Sequence, residues 1–100
     1  QNIAFLMNEK GKWGLAPAFD LTFSPSPGGY HSLSVANTYK EIGKKDLLKL
    51  AAYFGINKGN EIIDHVKETL SKWNIFSSET QINKKEQELV EKTLLENLKK

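Results

Sequence analysis

The chain has 100 residues, of which 39% are apolar and 26% charged, with a formal net charge of +2. This is the length of one domain with an ordinary globular balance. It has no cysteine, and all 14 basic residues are lysines, which excludes disulfide scaffolds, thiolate metal centres and cysteine nucleophiles and removes the side chain best suited to guanine edges and bidentate phosphate contacts.

Charge is spread unevenly. Residues 1–40 carry three lysines and two acids, Glu9 and Asp20, whereas residues 41–100 carry eleven lysines and ten acids. The first stretch reads as strands and loops, the second as solvated helices of mixed charge. The prediction is an α+β fold in one domain spanning 1–100. A short antiparallel β region within about 3–35 packs on three C-terminal helices; residues 1–40 form a hairpin-and-loop part and 41–100 a helical subdomain.

In chain order, Ile3 to Met7 is a five-residue apolar run, far short of a membrane span. Asn8-Glu9-Lys10-Gly11-Lys12 is a polar turn, and Trp13-Gly14-Leu15-Ala16 follows, which predicts a β-hairpin. Pro17 cannot donate to a ladder, so the second strand ends near it. Ser24-Pro25-Ser26-Pro27-Gly28-Gly29 forbids a regular element and reads as a loop, either a plain connector or a mobile, activation-type segment facing substrate. His31-Ser32-Leu33-Ser34-Val35 alternates like a short strand. Leu47, Leu48, Leu50, Ala51 and Phe54 then recur at helical spacing after Asp46, a cap or first-turn acid, and Gly55 ends that helix. Asn57 is a candidate cap for a second helix with the face Ile62, Ile63, Val66, Leu70 and Trp73. Ile75-Phe76 begins an irregular link. A third helix starts near Asn83 and presents Leu89, Val90, Thr93, Leu94 and Leu98. The helices are expected over roughly 46–54, 58–73 and 84–98, packed on one another because their connections are short. Trp13 and Trp73 are expected to anchor the core. The opening residues lack the order of a signal peptide, so a cytoplasmic location without membrane contact is expected.

Asn2 and Asp20 are the leading site candidates. Converging across a hairpin, they supply two hard oxygen ligands, which suits magnesium: it takes few protein oxygens and draws the rest from water and phosphate. The competing interpretation is an end residue at Asn2 and a turn cap at Asp20. His31 and His65 are the only histidines and have no H-x-x-x-H spacing. Ser24, Ser26, Ser32 and Ser34 lack a paired base in sequence. The Ser/Pro/Gly loop has no G-x-x-x-x-G-K pattern for cradling phosphate.

Asn2-Ile3-Ala4-Phe5-Leu6-Met7, Gly11-Lys12-Trp13 and Leu15-Ala16-Pro17-Ala18-Phe19-Asp20-Leu21-Thr22-Phe23-Ser24 closely resemble the C-terminal region of HipA-type serine/threonine kinases, the toxin halves of bacterial toxin–antitoxin pairs. His31-Ser32-Leu33-Ser34-Val35, Leu47-Leu48 and Ala51-Ala52-Tyr53-Phe54-Gly55-Ile56 extend the resemblance more loosely, to about residue 75. It implies part of a kinase-like C-lobe, with Asn2 matching the catalytic-loop asparagine and Asp20 the second metal-binding aspartate, both holding Mg²⁺ that bridges ATP phosphates. The family's catalytic base lies just upstream of the asparagine, and its phosphate loop and ATP-binding lysine lie in the N-lobe; none is in this sequence. The resemblance therefore implies a C-terminal piece, inactive alone, of an ATP-dependent protein kinase. Its implied partners are a helix-turn-helix antitoxin, DNA through that antitoxin, and a protein substrate such as an aminoacyl-tRNA synthetase. The alternative is a non-catalytic helical module binding an antitoxin or a DNA-bound complex, with Lys44, Lys45, Lys49 and Lys58 as candidate phosphate contacts.

Overall fold

A computed structural model describes residues 2–100. The first element is an antiparallel hairpin of β1 (Phe5–Met7) and β2 (Trp13–Leu15), with Phe5 opposite Leu15, Leu6 opposite Gly14 and Met7 opposite Trp13. Asn8 makes the turn: its Oδ1 accepts from the backbone N–H groups of Lys10 at 3.0 Å and Lys12 at 2.9 Å. Gly11 takes the left-handed conformation the turn requires, with φ +76°. The last rung is Ala16 N–H on the Ala4 carbonyl at 2.8 Å, and Pro17 ends the ladder there.

Residues 16–26 form no regular element, and a 3-10 turn over Pro27–Gly29 leads into β3 (Tyr30–Val35). This strand pairs antiparallel with β4 (Thr38–Lys40), which the alternating pattern did not reveal. Ala36 at φ 50° and Asn37 at φ 68° are both left-handed, as a two-residue type I′ turn demands. Sequence recognition of such a turn depends on glycine, and none is present.

Four helices follow: α1 (Lys44–Tyr53), α2 (Gly59–Ser71), the six-residue α3 (Trp73–Ser78) and α4 (Lys84–Leu98). The C-terminus of α1 is a Schellman motif. Ile56 N–H bonds the Ala51 carbonyl at 2.8 Å, Gly55 N–H bonds that of Ala52 at 3.2 Å, and Gly55 has φ +67°. Asn57 does not cap α2; the helix begins at Gly59 after an N-cap residue, Lys58, that makes no side-chain cap. Close approach of the helices decides this start, since a Cβ at Gly59 would lie 2.8 Å from that of Ala51. The segment read as an irregular link is α3. It is fastened to α4 by Gln87, whose Nε2 donates to Ser77 Oγ at 2.7 Å and whose carbonyl accepts from Trp73 Nε1 at 3.2 Å. Asn83 caps α4 through Oδ1 on Lys85 N–H at 2.9 Å.

Asp46 joins the two halves of the chain. One carboxylate oxygen accepts from Gly43 N–H at the start of α1 and the other from the Thr38 hydroxyl on β4, both at 3.0 Å. The Gly43 N–H first, then the Thr38 hydroxyl, hold this carboxyl below its ordinary value of 3.8. Because the folded value is depressed, the contribution to stability is present above the unfolded value and is lost as pH falls through the folded one. Urea denaturation should therefore show wild type more stable than Asp46→Asn at about pH 7, with the gap closing below about pH 4. A gap unchanged down to about pH 2 would mean that the carboxylate charge has no part in the joint.

Of the β region within 3–35 expected to pack on the helices, β3 meets α1, whereas the first hairpin stays exposed. Its apolar face of Phe5, Met7, Trp13 and Leu15 is 57–70% exposed, so Trp13 is not a core anchor, and Trp73 is half-buried rather than enclosed. Ala51 is the one apolar side chain in the buried class among the described residues. The accessible surface is 8735 Å², against about 5,700 Å² expected for a folded monomer of this mass. The radius of gyration is 16.2 Å, against about 13 Å for a self-contained domain of this length. The pattern of apolar residues specifies faces to be covered, and this chain covers them only in part. Among the described residues, no helix is long and apolar enough to cross a membrane.

Candidate functional site

Asn2 precedes β1 and Asp20 follows β2, so the hairpin returns the chain to its own beginning. The Asn2 Nδ2 donates to the Asp20 backbone carbonyl at 2.9 Å, a contact spanning 18 residues. Asp20 itself is left-handed, with φ 53°. Aspartate tolerates this region better than most residues, yet a side chain held there stores about 1–3 kcal/mol, a strain that clusters at functional sites. The Asn2 bond holds the carbonyl of that strained residue.

Among the described residues no hydrogen bond engages the Asn2 amide oxygen, and no hydrogen bond or ion pair engages the Asp20 carboxylate. No cluster of three or more His, Cys, Asp or Glu side chains forms among the described residues. Two oxygens cannot enclose a calcium or zinc ion, which take more protein ligands. A pair of hard oxygens is the kind of donor set that magnesium accepts, since it keeps several waters and takes phosphate oxygens.

Asn2 and Asp20 line a cleft of about 870 Å³. The segment Leu21–Ser26 lines it together with Leu70, Trp73, Val90 and Leu94 from the helices. His31, Ser24 and Ser26 also line it, while His65, Ser32 and Ser34 do not. Glu41, Glu96 and Lys100 line the same cleft; the sequence marked none of them, and nothing local distinguishes them from other surface charges. The signal that was available is the α4 stripe of Val90, Thr93 and Leu94, which faces the cleft rather than a closed core. Of the lysines considered as phosphate contacts, Lys44 is bonded to Asp64 at 2.9 Å and Lys58 lies 4.0 Å from Glu61.

Comparison with known proteins found no matching family model, no matching curated protein and no matching solved structure.

Proposed function

We propose that this chain is the C-terminal part of a HipA-type serine/threonine protein kinase and contributes the metal ligands Asn2 and Asp20 to an Mg–ATP site. The observation that carries this reading is the 2.9 Å bond from Asn2 to the Asp20 carbonyl. It joins the two motifs that resemble the family's metal-binding positions and leaves their oxygen atoms uncommitted. Asn2 and Asp20 would hold Mg²⁺, which when bound would supply neutralisation of the charge on ATP phosphates. Asp20 supplies the anionic ligand, and Asn2 supplies a neutral oxygen while fixing the Asp20 backbone. The general base, the phosphate loop and the ATP-binding lysine come from other parts of the kinase, so the chain alone transfers no phosphate. The antitoxin, its DNA and a protein substrate in the cytoplasm complete the reading.

Mn²⁺ tests the site directly, since it accepts the same oxygen ligands as Mg²⁺ and broadens nearby NMR signals even at low occupancy. Substoichiometric MnCl₂ should broaden the signals of Asn2, Asp20 and Leu21 first, and Asp20→Asn should remove that preference. Broadening confined to the acids of α2 and α4 would overturn the assignment.

A further inference from the structure

We infer that the C-terminal turn of α4 is a latch, closed on the start of α1 and on α2, that sets how α4 stands in the lining of the cleft. It goes beyond the metal reading and does not depend on it. Three observations carry it.

The first is how the helix ends meet. The last carbonyls of a helix and its first N–H groups have no partner within the helix. Here the two kinds of end serve each other. The Lys100 carbonyl accepts from the N–H of Lys44, the first residue of α1, at 3.2 Å. The Leu98 carbonyl accepts from Lys67 Nζ on α2 at 2.8 Å. The negative end of the α4 dipole thus lies against the positive start of α1, a favourable arrangement.

The second is space. Gly43, just before α1, has φ −123° and ψ −176°, an extended backbone that any residue adopts. Its turn does not require glycine. A Cβ there would lie 2.8 Å from the Lys100 carbonyl oxygen and 3.3 Å from its carbon, so the missing side chain makes room for the latch.

The third is where α4 is fastened. Near its start, Gln87 holds it to α3 through Ser77 and Trp73; near its end, the two latch bonds hold it. The cleft-lining residues Val90, Thr93, Leu94 and Asn97 lie between these fastenings, and Glu41 and Ile42, which also line the cleft, immediately precede Gly43. Helix ends open locally at low cost. With the latch open, α4 pivots about the Gln87 fastening. Glu96 lies about 13 Å along the axis from Gln87, so a pivot of about 20°, the ordinary spread of a helix crossing angle, moves it by about 5 Å.

The chain has no cysteine, so paired cysteines introduced at exposed positions carry spin labels alone. The pair Tyr53→Cys with Glu96→Cys reads α4 against α1, and the pair Ser24→Cys with Glu96→Cys reads two residues that line the cleft. In the otherwise unaltered 100-residue chain, double electron–electron resonance should give one narrow distance distribution for each pair. Gly43→Ala, which displaces Lys100, and Lys67→Met, which removes the donor to Leu98, should each shift or broaden both distributions by about 5 Å, with the helical circular dichroism retained. If Gly43→Ala loses its helices, Lys67→Met alone decides. Gly55→Ala is the control: it strains the end of α1, where φ is +67°, and touches nothing in α4, so both distributions should stay as they were. Unchanged distributions in the latch variants, a change in the Tyr53 and Glu96 pair alone, or equal broadening by Gly55→Ala would overturn the inference.

Discussion

Asp20→Ala in the complete kinase proposed above should lower the rate of phosphoryl transfer at least about a thousandfold, equivalent to about 4 kcal/mol of lost transition-state stabilisation. Catalysis of this class rests on positioning and on electrostatic stabilisation of phosphate charge, with little covalent chemistry for the protein to perform. Asp20 contributes the only carboxylate of the pair, and Asn2 reaches it through the backbone carbonyl at 2.9 Å, so removal of the carboxylate leaves one neutral oxygen. The side chain is exposed, and its loss opens no cavity. Alanine at φ 53° adds strain of about 1 kcal/mol relative to aspartate. Asp20→Asn separates the two effects, because asparagine accepts the left-handed conformation while losing the charge. It should lower the rate nearly as far with an unchanged melting temperature. Radiolabelled ATP with the protein substrate measures both variants. A rate within threefold of wild type in Asp20→Asn would remove the carboxylate from the reaction.

The largest expected effect on stability is at Trp73. It stands where α2 passes into α3, and its indole N–H bonds the Gln87 carbonyl on α4 at 3.2 Å, so one side chain touches the junction of three helices. Truncation of a fully buried tryptophan removes about 3–5 kcal/mol. Trp73 is half-buried, and Trp73→Ala should remove about 2–3 kcal/mol, lowering the melting temperature by about 10 °C or more. Trp73→Phe keeps most of the contact area and loses the hydrogen bond, and should destabilise by about 0.5–1.5 kcal/mol. Thermal denaturation followed by far-ultraviolet circular dichroism tests the pair. Equal melting temperatures for Trp73→Ala and wild type would show that the indole is a wall of the cleft and no anchor.

What was legible in the sequence is local. Asn8 and Gly11 specify the first turn, Pro17 ends its ladder, Gly55 stops α1 and Asn83 starts α4; each acts over a few residues through a hydrogen bond or a φ preference. The helical period placed α1, α2 and α4 within a few residues of their ends because ten or more residues repeat it. The two missed elements are those that local preference cannot form. β4 has three residues and depends on a left-handed Ala36-Asn37 turn without glycine. α3 has six residues, too few for a helix to persist on propensity, and Gln87 of α4 holds it through Ser77 and Trp73.

The candidate site divides in the same way. The residue types at Asn2 and Asp20, and the motifs around them, are properties of the chain alone, as are the apolar stripes that demand cover. Their placement is a matter of tertiary structure. The hairpin returns residue 20 to residue 2, so the Asn2 amide meets a carbonyl 18 positions away, and Leu70, Trp73, Val90 and Leu94 end lining an open cleft rather than a closed core. An apolar period states that a face will leave water, because transfer free energy is non-directional and roughly proportional to apolar area. Which surface it meets depends on where every other element lies, and in this chain the Leu21–Ser26 segment stands apart from α2 and α4 and leaves their apolar faces open.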